Sequence, residues 1–185
     1  LGILISRSLT ALSFAILLST AAQAEQRVAL VIGNSAYQNA TALPNPKNDA
    51  TAMADKLTSM GFQVFLHQDL DGQGCRVALG AFSEATLNAD IALFFYAGHG
   101  IELAGQNYLI PVDAAMRSES SAQFETLPLE QVLTAVRSAK KLGMVMLDAC
   151  RDNPFATTMT RTNSTRSISR GLAPVSVEGE KGLLI

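Results

Sequence analysis

The chain lacks an excess of charge of either sign. Its 185 residues include 14 lysines and arginines and 16 aspartates and glutamates, a net charge of −2. A nucleic-acid-binding protein needs a basic surface, so this balance argues against that class and we expect no nucleic-acid partner. Phosphate-binding glycine loops are missing too. Gly33–Ala36 fits neither the dinucleotide-binding nor the P-loop spacing, which disfavours a nucleotide-binding domain.

Long apolar runs are absent, apart from one ten-residue stretch at Leu9–Leu18. Spanning a bilayer takes ~20 residues. Arg7 precedes the stretch and Ala22–Ala24 (AQA) follows it, which is the pattern of a secretory signal peptide. We therefore expect residues 1–24 to be a signal peptide and the protein to be periplasmic or secreted, with no stable membrane span after cleavage. An uncleaved N-terminal anchor is the alternative.

Cysteine is scarce, with only Cys75 and Cys150 in the chain. Export to an oxidising compartment favours a disulfide. Cys75, however, opens a predicted helix while Cys150 ends a predicted strand, and a bridge would prevent Cys150 from acting as a nucleophile. We expect Cys75 to be an inert, partly buried thiol.

The chain does contain a regular alternation of apolar strands and amphipathic helices. After residue 24, 161 residues remain, enough for one domain with a core. The order β-α-β-α-β…α-β predicts an α/β fold, with a mostly parallel sheet and helices on both faces. Predicted strands cover residues 27–33, 62–66, 91–96 and 143–147, and predicted helices follow an N-cap at Asn48, include Ala78–Ala85 and start at Pro128.

Two short segments that each follow a predicted strand carry the chemistry. Tyr96–Gly100 (YAGHG) places a histidine between two glycines, and Asp148–Pro154 (DACRDNP) contains the second cysteine. Parallel strands bring their carboxyl ends to one edge of the sheet, so we expect His99 and Cys150 to lie side by side. A neighbouring base is what converts a thiol into a nucleophile. The two residues are 51 positions apart.

These motifs, with Arg27–Asn34 (RVALVIGN) and Asn48–Ala50 (NDA), resemble the large-subunit (p20-like) region of the caspase/metacaspase clan, peptidase C14. The likeness is greatest to bacterial caspase-like proteins and covers roughly Arg27 to Pro154. It implies a caspase-like three-layer sandwich, here truncated at about the fifth strand. It also implies a cysteine endopeptidase that acts on proteins or peptides.

The resemblance assigns roles by position. His99 would be the general base or acid and Cys150 the nucleophile, while the backbone N–H groups of Gly100 and Cys150 would form the oxyanion hole. The alternatives are a strand-end histidine with a buried thiol, and a caspase-like interaction or sensing module that does not use its dyad.

Two aspartates suggest a substrate preference. Asp49 is predicted in the loop after the first strand, and Asp148 lies two residues before the cysteine. Metacaspases and paracaspases hold a basic P1 side chain with aspartates at the matching positions, and a carboxylate pair suits a guanidinium. The resemblance therefore implies cleavage after Arg or Lys. The alternatives are an N-capping Asp49 and a strand-end Asp148 that accepts backbone hydrogen bonds.

The resemblance also predicts how the chain is divided. Residues 25–155 would be the p20-like region, residues 156–170 a Ser/Thr/Arg-rich linker, and residues 171–185 the incomplete start of a small-subunit-like segment. Arg161, Arg166 and Arg170 in the linker are candidate self-processing sites, or simply arginines in a solvated linker. We expect no cofactor and no metal site. Calcium activation, known among metacaspases, has no support from the sequence, because Arg151–Pro154 replaces their His-Ser-Gly and Pro46 stands where many of them carry a cysteine. Asp69–Gly72 resembles the start of an EF-hand loop but lacks its acidic twelfth residue, so we predict a turn there.

Overall fold

The computed structural model describes residues 24–150, 154–155, 159, 172–175 and 183–184. Strands and helices alternate along the chain, as the sequence pattern predicts. The strands are β1 (Arg27–Gly33), β2 (Gln63–Gln68), β3 (Ile91–Leu103), β4 (Gln106–Leu109), β5 (Leu127–Pro128), β6 (Leu142–Cys150) and β7 (Leu183–Leu184). The helices are α1 (Pro46–Ser59), α2 (Gly72–Thr86), α3 (Glu119–Glu125) and α4 (Leu129–Arg137).

Five parallel strands form the main sheet, in the order β2-β1-β3-β6-β7. The central strand β3 pairs with β1 on one side and β6 on the other, so its apolar run is buried on both faces. The described part of β7 continues the sheet beyond β6, in agreement with the predicted fifth strand.

Helices cover both faces of this sheet, which confirms the three-layer arrangement. One face packs against α2 and α4, where Phe82 and Val132 are fully buried beside Phe94 of β3. The other face packs against α1 through Ala50 and Leu57. Successive residues of a strand alternate between the two cores, because the side-chain period of a strand is two.

An antiparallel extension is the feature that the sequence pattern did not predict. Beyond Tyr96, where the third strand was expected to end, β3 continues to Leu103 and pairs with β4, which pairs in turn with β5. A third apolar cluster, containing Ile101, Ile110 and Met116, lies at this extension. Glycines 98 and 100 concealed the strand, since glycine is usually depleted in strands.

Two helix starts also differ from prediction. The first helix begins at Pro46 with Asn45 as its N-cap, not after Asn48, because proline is favoured in the first turn where no N–H is needed. Pro128 is the N-cap of α4 rather than its first residue. In the part of the chain that the structure describes, no helix has both the length and the apolarity to cross a bilayer.

Candidate active site

His99 and Cys150 lie directly opposite each other on neighbouring parallel strands. In the register of β3 and β6 the two residues are Cα partners, and Cys150 is the last residue of β6. Both were expected just after their strands, but each belongs to its strand, because the ladder between β3 and β6 continues through this pair. The predicted juxtaposition at the carboxyl edge of the sheet is present in the backbone.

The imidazole of His99 is buried and held in one orientation. Its Nε2 lies 2.9 Å from the carbonyl oxygen of Thr41. A carbonyl can only accept, so Nε2 carries the proton and Nδ1 carries the free lone pair. Nδ1 is buried and has no hydrogen-bond partner among the described residues. The ring therefore presents an unprotonated nitrogen, as a general base must.

Burial sets the charge state of this ring. Loss of solvent lowers the pKa of His99, and the hydrogen bond to Thr41 opposes that shift without cancelling it. The imidazole is consequently neutral at neutral pH. A neutral ring can accept a proton from a thiol, whereas an imidazolium cannot.

The backbone N–H of Gly100 is directed away from the β4 side of its strand. The N–H of Ile110 donates to the carbonyl of His99 at 3.0 Å, which makes Gly100 and Leu109 a non-hydrogen-bonded pair of the antiparallel ladder. Residues in such a pair aim their peptide groups at the opposite side of the strand. For Gly100 that side is the one occupied by β6 and Cys150.

The loop after β1 supplies Thr41 and is fixed by buried polar contacts. The side chain of Asn34 is fully buried, where it donates to the carbonyl of Ile110 and accepts from the N–H of Leu70. Asp69 accepts from the N–H groups of Ser35 at 2.8 Å and of Ala36 at 2.9 Å. The sequence pattern did not predict this role of Asn34 and Asp69, since polar residues near strand ends resemble ordinary turn residues.

Asp69 remains ionised in this role. Partial burial works to raise its pKa, but the ammonium of Lys47 at 2.9 Å and the two backbone N–H groups lower the pKa below its usual value. Asp69 has a positive φ of 52°. Asp71 accepts from the N–H of Gly74 and caps α2. This acidic segment thus forms the predicted turn, and it also supplies a helix cap that was not predicted.

Asp49 and Asp148 line one pocket beside the histidine strand. The pocket has a volume of about 210 Å³, and the other residues that line it are Leu43, Pro44, Asn45, Pro46, Ala97 and Gly98. Asp49 lies in the first turn of α1, not in the preceding loop, and it is not the N-cap. Within the described part of the chain, no side chain or backbone group forms a hydrogen bond or ion pair with either carboxylate.

Comparison with known proteins identifies the family. The family model Peptidase_C14, described as a caspase domain, matches residues 26–181. The chain belongs to the caspase-domain family. Members of this peptidase family are cysteine proteases that act on protein substrates.

Curated relatives match part of the chain at low identity. Human mucosa-associated lymphoid tissue lymphoma translocation protein 1 is 31% identical over 131 residues, which are 69% of this chain and 15% of that protein. The mouse homologue is 30% identical over 131 residues. The chain therefore spans about 15% of the length of these relatives.

Solved structures agree on the fold. The Drosophila initiator caspase Dronc superposes with a TM-score of 0.52 at 12% identity, covering 83% of this chain and 63% of that one. Protein GSU0716 from Geobacter sulfurreducens gives a TM-score of 0.53 at 18% identity, covering 68% of this chain and 50% of that one. At such identities the likeness shows the caspase fold alone.

The other cysteine and the other histidine of this caspase-domain chain lie apart from the site. Cys75 is a free, buried thiol of α2, and burial, followed by the charges of Asp113 and Asp71, raises its pKa to about 12. Such a thiol stays protonated at neutral pH, which agrees with the expected inert thiol. His67 is half-buried on β2, which β1 separates from β3, and burial lowers its pKa.

Other predictions about the site fall outside what the structure covers. Arg161, Arg166 and Arg170 lie outside the described residues, and so does the side chain of Cys150. In the part of the chain that is described, no group of three or more His, Cys, Asp or Glu residues could hold a metal ion.

Proposed function

We propose that this caspase-domain protein is a cysteine endopeptidase with a His99–Cys150 dyad. The observation that carries the proposal is the register that sets His99 opposite Cys150, together with the buried, unpartnered Nδ1 of the imidazole. A buried nitrogen without a partner is costly in a purely structural role, and a thiol proton would satisfy it.

The proposed reaction follows from these positions. Nδ1 of His99 accepts the proton of the Cys150 thiol, and the sulfur attacks the scissile carbonyl carbon. The N–H groups of Gly100 and Cys150 stabilise the resulting oxyanion. The imidazolium then gives its proton to the leaving amine, and water hydrolyses the thioester and restores the thiol.

The proposed P1 residue is Arg or Lys, held by Asp49 and Asp148. Both carboxylates line the same pocket, and its volume of about 210 Å³ suits a single side chain. Pockets for whole small molecules are usually ~300–1,000 Å³. The side chain of Asp148 projects from the exposed end of β6, two residues before the proposed nucleophile. A guanidinium between two carboxylates can form charge-assisted bonds to both.

The dyad is tested by labelling and by peptide cleavage in the full chain. An Arg-directed, cysteine-reactive inhibitor should label the wild-type protein, while Cys150→Ala should abolish labelling and His99→Ala should greatly reduce it. Fluorogenic peptides with Arg or Lys at P1 should be cleaved. A folded wild-type protein that neither labels nor cleaves would favour the interaction or sensing module.

The specificity is tested by neutral, isosteric substitutions at the pocket. Losing one hydrogen bond to a charged group costs ~1.5–3 kcal/mol, so Asp49→Asn and Asp148→Asn should each lower kcat/KM for P1-Arg peptides by roughly 10–100-fold. Asp55→Asn, on the exposed side of the same helix α1, is the matched control and should change nothing. Preference for P1-Asp over P1-Arg would overturn the assignment.

The same proposal extends to the linker. If P1 is basic, cleavage after Arg161, Arg166 or Arg170 would be self-processing. The inhibitor gel reports this directly, since a processed protein splits into two bands and Cys150→Ala should remain one. An active protein that stays a single band removes the processing hypothesis.

We propose no cofactor for the reaction, and adding calcium or a chelator to the cleavage assay checks that point.

A further inference from the structure

Two buried tyrosine hydroxyls connect the backbone N–H of the histidine to its own carbonyl. The N–H of His99 donates to the Tyr37 hydroxyl at 2.8 Å. The Tyr37 and Tyr96 hydroxyls lie 3.2 Å apart, and the Tyr96 hydroxyl donates to the carbonyls of His99 at 2.8 Å and Ile110 at 3.0 Å.

The directions of these bonds follow from counting protons. Tyr96 has one hydroxyl proton, which it shares between two carbonyls that can only accept. In the contact between the tyrosines, Tyr96 must therefore accept and Tyr37 must donate. The result is a closed cycle from the N–H of His99 through both hydroxyls back to the carbonyl of His99. Burial raises the pKa of Tyr96 well above its usual value, so the cycle keeps its protons over the working pH range.

Tyr37 also contacts the imidazole itself. Its ring centroid lies 4.5 Å from that of His99 at an interplanar angle of 53°. Tyr37 and Thr41 belong to the same loop between β1 and α1, so one loop holds the histidine at its backbone N–H, its ring face and its Nε2. Three contacts of this kind fix both the peptide and the ring orientation.

Glycine at position 98 is required by the same arrangement. A Cβ at Gly98 would lie 2.6 Å from the hydroxyl oxygens of both Tyr37 and Tyr96. Any larger residue would displace the hydroxyl pair. The glycine before the histidine is thus explained by the space that the two hydroxyls occupy.

We propose that Tyr37, acting with Tyr96, is a positioning residue that orients the His99 imidazole for proton transfer with Cys150. The inference rests on the proposed function, because it assigns a role relative to the dyad. The contacts described for the two hydroxyls are with backbone groups of His99 and Ile110 and with each other. They act by holding the histidine peptide and ring, so that Nδ1 keeps its direction.

The test measures the reactivity of the Cys150 thiol and needs no peptide substrate. Alkylation by iodoacetamide follows the thiolate fraction, and mass spectrometry of the Cys150 peptide separates it from buried Cys75. In Tyr37→Phe the pH profile of alkylation should shift towards that of an ordinary thiol, with a pKa of about 8.5. With P1-Arg peptides, kcat should fall by roughly 10–100-fold while KM changes little, since misplacing a catalytic group slows the chemical step.

Two further variants separate positioning from stability. Tyr96→Phe removes the other hydroxyl of the cycle and should reproduce the effect, and the double variant should be no worse than either single one. Tyr108→Phe is the matched control. It loses a hydroxyl bond to Gln106 of 2.8 Å at a similarly buried position, and should leave the alkylation profile unchanged.

The outcomes distinguish this inference from the proposed function. If His99→Ala leaves the alkylation profile of Cys150 unchanged, the dyad itself is wrong. If His99→Ala alters the profile while Tyr37→Phe and Tyr96→Phe behave like Tyr108→Phe, the dyad stands and the positioning role is overturned. Thermal unfolding shows whether each variant is folded at the assay temperature. If Tyr37→Phe is unfolded at that temperature, the result with Tyr96→Phe decides whether the hydroxyl pair positions the histidine.

Discussion

His99, within the central strand β3, combines burial with a ring nitrogen that is unsatisfied among the described residues. Its ring is buried, and one of its nitrogens has no hydrogen-bond partner in the described part of the chain. The ring is neutral and its proton is on Nε2, so Nδ1 carries a lone pair whose direction is fixed by the orientation of the ring. The sequence could not show this, because the carbonyl of Thr41 that selects the tautomer lies 58 positions away.

The pKa of His99 gives a prediction for the pH dependence. Its pKa is lowered from the usual 6.5, so the ring is protonated only at lower pH than an exposed histidine. The acid limb of kcat/KM should therefore lie below pH 6.5, since that parameter reports the free enzyme. Folding stability should change with pH in the same direction. Burial favours the neutral ring, so its contribution to stability is complete above pH 6.5 and is lost as pH falls through the lowered pKa of His99.

A pH–rate profile with a P1-Arg peptide measures this limb. His67→Gln should leave it in place, because His67 lies on β2 and takes no part in the dyad. An acid limb above pH 6.5 would contradict the assigned neutral imidazole.

Two strands approach their neighbouring helices closely at glycines, where no side chain separates the two backbones. A Cβ at Gly33, the last residue of β1, would lie 2.4 Å from the carbonyl oxygen of Pro46 and 2.7 Å from the Cβ of Ala50. A Cβ at Gly143 in β6 would lie 2.6 Å from the carbonyl oxygen of Val136. These contacts involve helix backbone, which cannot move without shifting α1 or α4.

Two alanine substitutions test this reading at the level of the elements. Gly33→Ala should destabilise the fold by about 1–3 kcal/mol, because the added methyl overpacks the first turn of α1. Gly80→Ala, in the middle of α2 with open space around it, should stabilise by about 0.5–1 kcal/mol through helix propensity. Urea unfolding measures both free energies. Equal effects of the two substitutions would show that close packing at Gly33 is unimportant.

The strands show where an apolar pattern predicts a strand correctly and where it does not. Arg27–Gly33 was predicted to the residue, because both faces of β1 are buried and its run is continuous. The continuation of β3 to Leu103 was missed, because Gly98 and Gly100 interrupt the pattern that signals a strand. What extends this strand is pairing with β4, a partner that only the folded chain brings alongside.

On the scale of the whole molecule, we propose that the protein is exported and cleaved between Ala24 and Glu25. The bond between Ala24 and Glu25, where cleavage is predicted, lies at an exposed residue. From Glu25 onward the chain makes contacts, since the carboxylate of Glu25 pairs with Arg27 at 2.8 Å and Lys141 at 3.2 Å. Cleavage at this bond would leave these contacts intact.

The prediction is a mature protein that begins at Glu25. N-terminal sequencing of protein recovered from a periplasmic or secreted fraction measures it. Ala24→Pro, which blocks processing next to the cleaved bond, should leave the unprocessed form in the membrane fraction. Recovery of wild-type protein only in the cytoplasm would contradict export.

The sequence by itself determined the class of the fold and the residues that we propose to carry the chemistry. Apolar periodicity specifies a parallel sheet with helices on both faces, and strand ends place His99 and Cys150 at one edge. The tertiary structure alone decided which nitrogen of the histidine is free, that Asp49 and Asp148 share a pocket, and that Tyr37 and Tyr96 join at the histidine peptide. The reason is physical: local patterns report burial and backbone preference, whereas hydrogen bonds between distant segments depend on distances that exist only after folding.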